Sequence, residues 1–143
     1  MILPDVNVLL YAVNRSSDQH AAALRALRQG FDSPRGVAFA WVALLAFLRL
    51  STRRGVFPRP LPVADALRVI EHWLGHPRAR AAHPGERHAE ILGQLLKSAG
   101  TAGNLTTDAH LAALAIEHGA TVVSFDRDFA RFEGVRWTLP AVK

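Results

Sequence analysis

Three aspartates stand where solubility alone does not explain them. Asp5 interrupts residues 1–13, a run otherwise almost wholly apolar, so its carboxylate must be solvated, paired or put to use. Asp126 follows the β-branched run at 121–123, and Asp108 opens a segment rich in alanine and leucine. Carboxylates that meet repel one another and raise each other's pKa, so their convergence makes sense chiefly around a divalent cation. Oxygen-only ligands favour Mg²⁺ or Mn²⁺ over zinc, and magnesium completes its shell with water and substrate phosphate. The chemistry that follows is metal-assisted hydrolysis of a phosphate ester. Each acid also has a plainer role: Asp108 at the positive end of a helix dipole, Asp126 and Asp128 as turn formers. It is the three placements taken together that point to a metal.

Other chemistries are excluded or unsupported. The chain has no cysteine, which removes disulfides, thiolate zinc sites and cysteine nucleophiles. No serine sits in a GxSxG elbow, and no glycine loop for nucleotide phosphates is present. The pairs His72/His76 and His83/His88 lack the acidic neighbour of an HExxH-like pattern, so the histidines read as surface or partly buried residues. Seventeen Lys and Arg against twelve Asp and Glu leave a formal charge of +5, nearly all of it arginine, the cation suited to phosphate.

Elements must bring the aspartates together. The spacing predicts strands at 2–5, 37–39, 79–82, 121–124 and 135–138, the third weakly because alanine has little β preference. It predicts helices over 6–13, 18–28, 41–51, 64–74, 86–98 and 109–118, the last with an N-cap from Thr106 or Thr107 and a stop at Gly119. One helical turn is expected at 127–131, and the Pro- and Arg-rich stretch 53–62 reads as an exposed loop. Strands alternating with helices imply an α/β fold: a central parallel sheet of four or five strands flanked by helices on both faces, in one domain over 1–143. In such a sheet, ligands bind beyond the carboxyl ends of the strands, where Asp5 and Asp126 fall and toward which Asp108 can project. The apolar run 37–48 is too short to span a bilayer, and the first apolar stretch contains Asp5 and Asn7 with no basic leader before it, so a cytoplasmic protein without membrane association is expected.

Four stretches then carry a family likeness: Ile2-Leu3-Pro4-Asp5-Val6-Asn7-Val8-Leu9-Leu10-Tyr11, Ala46-Phe47-Leu48-Arg49-Leu50-Ser51-Thr52, residues 103–115 around Thr106-Thr107-Asp108-Ala109-His110, and Thr121-Val122-Val123-Ser124-Phe125-Asp126-Arg127-Asp128-Phe129. In these the chain resembles PIN-domain ribonucleases, in particular the VapC toxins of bacterial type II toxin–antitoxin pairs. The resemblance implies a Mg²⁺-dependent endoribonuclease (Mn²⁺ being the other candidate ion) that cleaves structured RNA such as tRNA or rRNA. It implies that Asp5, Asp108 and Asp126 bind the metal and are catalytic, that Asn7, Ser124 and Asp128 support them, and that Arg49, Arg53 and Arg54 grip RNA or an antitoxin. A cognate VapB-type antitoxin and a homodimer belong to the same expectation. One departure stands out: the family usually carries a glutamate where this chain has Ala46, leaving Glu90 or Asp128 to compensate. The alternative is a catalytically weak or silent PIN domain that acts by binding RNA or antitoxin.

Overall fold

The computed structural model describes residues 1–141. Five parallel strands form one sheet in the order β3-β2-β1-β4-β5: β1 (Ile2–Pro4), β2 (Val37–Ala40), β3 (Ala79–Ala82), β4 (Thr121–Val123) and β5 (Trp137–Thr138). Six helices cover it: α1 (Val6–Val13), α2 (His20–Asp32), α3 (Trp41–Thr52), α4 (Val63–Leu74), α5 (His88–Ala99) and α6 (Thr106–His118).

Side chains that alternate along each strand divide the core in two. On one face Leu3, Ala38, Ala40 and Val122 meet α5, α6 and the turn carrying Phe129 and Phe132. On the other, Val37, Phe39 and Val123 meet α1 to α4, with Phe39 stacked on Trp73 and Phe47 set edge-on to the same indole. Both faces are therefore buried, which is why the strands read as apolar runs rather than as alternating ones.

The weak strand at 79–82 forms because each of its residues is in register with one of β2, from Val37↔Ala79 to Ala40↔Ala82. Tertiary pairing overrides alanine's poor propensity. Pairing also shortens the last strand to two residues, Trp137–Thr138, in register with Val122 and Val123 of β4. Nor do Thr106 and Thr107 cap α6. A 3₁₀ turn (Gly103–Leu105) runs directly into the helix, Leu105 takes the cap position with no side-chain bond, and both threonines fall inside the first turn.

Gly36 controls entry to β2. It has φ +75°, and a Cβ there would collide with the Arg78 carbonyl oxygen, at the point where Val37 N–H donates to that same oxygen at 2.9 Å. Replacing Gly36 with alanine is expected to lower stability by about 2 kcal/mol or more, since it adds a left-handed strain to a backbone clash. A chemical denaturation midpoint within error of the wild type would refute this.

Candidate active site

The strand order creates the site. From β1 the chain builds outward in one direction through β2 and β3, then returns to the other side of β1 for β4 and β5. The crevice where the direction reverses, between the carboxyl ends of β1 and β4, is the place where open α/β sheets bind ligands. Asp5 follows β1 directly, and Asp126 follows β4 after two residues.

Asp5 is 6% exposed and forms the N-cap of α1, its Oδ1 accepting from Val6 N–H at 2.7 Å. Its Oδ2 accepts from the Ser124 hydroxyl at 2.7 Å and, more weakly, from Asn7 Nδ2 at 3.4 Å. Burial raises its pKa, the bonds from Ser124 and Val6 oppose that rise, and the nearby Asp126 charge adds to it.

Ser124 joins the two strand ends. Fully buried, its Oγ donates to Asp5 while accepting from Asp126 N–H at 2.9 Å and Asn7 Nδ2 at 3.1 Å. Asn7 completes the latch, its Oδ1 accepting from Phe125 N–H at 3.2 Å. Phe125 packs edge-on against Tyr11 of α1, and Trp137 Nε1 donates to the Ser124 carbonyl at 3.0 Å. Replacing Ser124 with alanine would take one hydrogen bond from the buried Asp5 and from the partly buried Asn7 side chain and Asp126 N–H, so a loss of about 1–3 kcal/mol in stability is expected. Divalent-metal affinity should fall roughly 10- to 100-fold, as it does when groups behind metal ligands are removed. Denaturation and metal titration of the variant measure both, and an unaltered metal affinity would mean that Ser124 does not orient the acids.

The turn after β4 contributes two acids. Asp126 Oδ1 accepts from Asp128 N–H at 2.9 Å, folding the chain into a 3₁₀ turn (Arg127–Arg131) anchored by the buried Phe129. On the other side, α6 lies close to the sheet because its inner face is alanine, with Ala109, Ala112 and Ala113 fully buried. Its first turn delivers Asp108. Asp108, Asp126 and Asp128 each offer an oxygen, all within 4.8 Å of one another. The Asp108 pKa is pushed up to about 7, first by burial and then by the charges of Asp5, Asp126 and Asp128, with a hydrogen bond to Asp126 favouring the protonated form.

The tight trio thus differs from the expected one. Asp128 joins Asp108 and Asp126, while Asp5 stands outside this trio, near enough for its charge to act on Asp108, with both oxygens engaged by protein donors. The sequence signal for Asp128 was present, an Asp-x-Asp pair beyond a strand, but only the reversal of the turn shows that both carboxylates reach one spot. Glu90 does not take part: it is an exposed partner of Arg87 at 3.3 Å. Ala46 lies on α3, and Arg49, Arg53 and Arg54 are exposed on its last turn and the loop beyond, with no side-chain ion pair or hydrogen bond among the described residues.

A second polar group escaped the sequence reading. His88 Nδ1 lies 2.5 Å from Glu117 Oε1, and His88 Nε2 lies 2.8 Å from His110 Nδ1. Glu117 comes from the far end of α6, 29 residues on, so only the packing of α5 against α6 brings it to His88.

The PIN domain family matches residues 2–135, all but the two ends of the chain. The chain belongs to this family. Within the PIN family its relatives are of VapC type. It is 53% identical to Ribonuclease VapC37 of Mycobacterium tuberculosis over 140 residues, 98% of this chain and 97% of that protein. Ribonuclease VapC33 of the same species is 41% identical over 140 residues, 98% of each chain. Among solved structures, the DNA-bound VapBC of Salmonella typhimurium superposes with a TM-score of 0.69 over 98% of each chain at 17% identity, a likeness of fold. The PIN architecture read from the sequence, with a parallel sheet flanked on both faces, is the one observed.

Proposed function

We propose that this protein is a divalent-metal-dependent endoribonuclease toxin of VapC type, restrained by a VapB-type antitoxin. The observation that carries the reading is the cluster of Asp108, Asp126 and Asp128 at the switch point of the sheet, backed by Asp5. The donor set is oxygen only and compact enough for one hard cation, which suits Mg²⁺ or Mn²⁺. When bound, such an ion acidifies a water for attack on phosphorus and neutralises charge on the phosphate oxygens.

The protein's own contribution is to gather four acids against their mutual repulsion. Ser124 and Asn7 fix Asp5, the Asx turn fixes Asp126, and the close seat of α6 brings Asp108 to both. Exposed Arg49, Arg53 and Arg54 supply phosphate-binding charge for an RNA strand or for antitoxin carboxylates. The VapC names of the relatives support ribonuclease activity, and the VapBC likeness supports an antitoxin. Trp41, Leu45, Val63 and Leu67, between 41% and 60% exposed on α3 and α4, offer an apolar face to a second copy. Among the described residues no helix is long and apolar enough to cross a membrane, and a cytoplasmic single PIN domain over 1–143 completes the proposal.

The silent-domain alternative rests on Ala46. Asp128 weakens it, because the acid count lost on α3 is restored from the turn after β4. Incubating antitoxin-free protein with tRNA and rRNA, in Mg²⁺, in Mn²⁺ and in EDTA, tests the proposal. Internal cleavage that requires the metal and disappears with Asp126→Asn is expected. RNA left intact in every metal, with toxicity retained by Asp126→Asn, would favour pure binding.

A further inference from the structure

Outside the acidic crevice, the chain's most concentrated ligating chemistry lies where α5 crosses α6. Glu117 and His88 are nearly buried, their side chains 11% and 12% exposed. Glu117 Oε2 also accepts from Gly85 N–H at 2.8 Å, which fixes the carboxylate in place. His118 Nε2 reaches the His83 carbonyl at 2.9 Å, so the start of α5 and the segment leading into it are tied to α6 by three hydrogen bonds made by two of its side chains.

We propose that His88 and His110 form a two-imidazole seat for a divalent transition metal such as Zn²⁺, with Glu117 holding His88 in the ligating orientation. Carboxylate, imidazole and metal in a line is the arrangement that fixes ring tautomer and raises ligand basicity in metal sites. Here Glu117 accepts the Nδ1 proton of His88, which leaves His88 Nε2 as a lone pair aimed at His110 Nδ1. In the metal-free protein a proton lies between those two nitrogens, 2.8 Å apart. A tetrahedral ion with bonds of about 2.0–2.1 Å holds its nitrogens roughly 3.3 Å apart with their lone pairs converging on it, so the two rings, now aimed at each other, must part by about half an ångström and rotate to admit it. As the metal takes its place, the His110 proton moves through solvent from Nδ1 to Nε2, so the ring stays neutral and its Nδ1 lone pair binds the ion, and water completes the shell.

Imidazole ligands prefer zinc, cobalt, nickel or copper to magnesium, so this seat and the oxygen-only acidic cluster divide the two metal classes between them. They do not share ligands. Asp108 and His110 are two apart on α6 and point to different sides of the helix, and no histidine is among the groups that shift Asp108. A metal here would pin the start of α5 to the helix that carries Asp108.

The test uses the full chain with Co²⁺ as a spectroscopic probe and Zn²⁺ as competitor, in excess Mg²⁺ to fill the acidic cluster. A saturable Co²⁺ d–d absorption, displaced by Zn²⁺ and accompanied by a rise of several degrees in Tm, is expected. The band should persist in Asp108→Asn, vanish in His110→Gln and His88→Gln, and weaken roughly 10- to 100-fold in Glu117→Gln. The partly buried His110 serves as the decisive variant if His88→Gln proves unfolded by circular dichroism. Absence of the band in the wild type would overturn the proposal, as would a band retained by folded His110→Gln or one lost with Asp108→Asn. Because Asp108→Asn spares this seat, its failure and that of the nuclease reading are separable.

Discussion

Asp108→Asn is expected to abolish RNA cleavage while making the metal-free protein more stable. The same substitution acts in opposite directions because Asp108 is strained by its neighbours. Its pKa, pushed up to about 7 by burial and by Asp5, Asp126 and Asp128, records a carboxylate that the unliganded fold prefers to keep protonated. Asparagine keeps the shape and removes the charge, so at pH 8 the variant should unfold at higher denaturant than the wild type. Activity should fall on the order of a thousandfold or more, about 4 kcal/mol of transition-state stabilisation, because one of three carboxylates available to the cation is gone. Measuring kcat/KM on an RNA substrate and the urea midpoint on the same preparation checks both signs. Cleavage within tenfold of the wild type would remove Asp108 from the reaction. A lower midpoint would show that the carboxylates do not repel one another as described.

The same opposition between stability and function is expected of the acids of the crevice, though not of the donors behind them. Four acids stand at one sheet edge, and the fold tolerates them because donors are built around them. Ser124, Asn7, the Val6 amide and the Asp128 amide all point N–H or O–H groups inward. Among the described residues no arginine or lysine is paired with these acids; the direct ion pairs are Arg68–Asp65, Arg87–Glu90 and the His88–Glu117 contact. A protein cation would have cancelled the charge permanently. On the proposed reading an exchangeable ion does this instead and keeps the crevice open to phosphate.

Which parts of this were legible in the sequence follows from how local each signal is. Asp5 is conspicuous because an ionisable group inside an apolar run needs a reason wherever the run folds. Asp126 and Ser124 follow a β-branched strand, so their place at its carboxyl end is fixed by chain direction alone. Helices α1, α3 and α6 carry enough apolar residues to be read within a residue or a few. What the sequence leaves open, including whether Asp128 only supports the site or joins the cluster, depends on contacts across the fold. The switch point between β1 and β4 requires the strand order, which no local pattern encodes. Asp128 reaches the cluster only because a 3₁₀ turn folds it back over Asp126. The Glu117–His88–His110 chain exists because α5 and α6 lie side by side, bringing together residues 22 and 29 positions apart.

The second large effect is on pH. A carboxyl whose folded pKa lies above its unfolded value binds its proton more tightly in the native state. Its contribution to stability is therefore complete below the unfolded value near 3.8 and is lost as pH rises through about 7. Metal-free protein should thus lose stability between about pH 4 and pH 7 from Asp108, and Asp5, raised by burial, adds to the same trend. A metal reverses the sign, since it binds the ionised form. Below pH 7 it must displace the Asp108 proton, so apparent affinity for Mn²⁺ should fall roughly tenfold for each pH unit between 7 and 5. Cleavage at limiting metal should follow the same slope, with the loss recovered by added Mn²⁺. Calorimetric titration across that range, repeated with Asp108→Asn, measures the coupling directly. In the variant the residual affinity should lose most of its pH dependence. A wild-type affinity flat from pH 5 to 7 would mean that Asp108 is already ionised in the free protein, and that burial and its three acidic neighbours do not hold the proton described here.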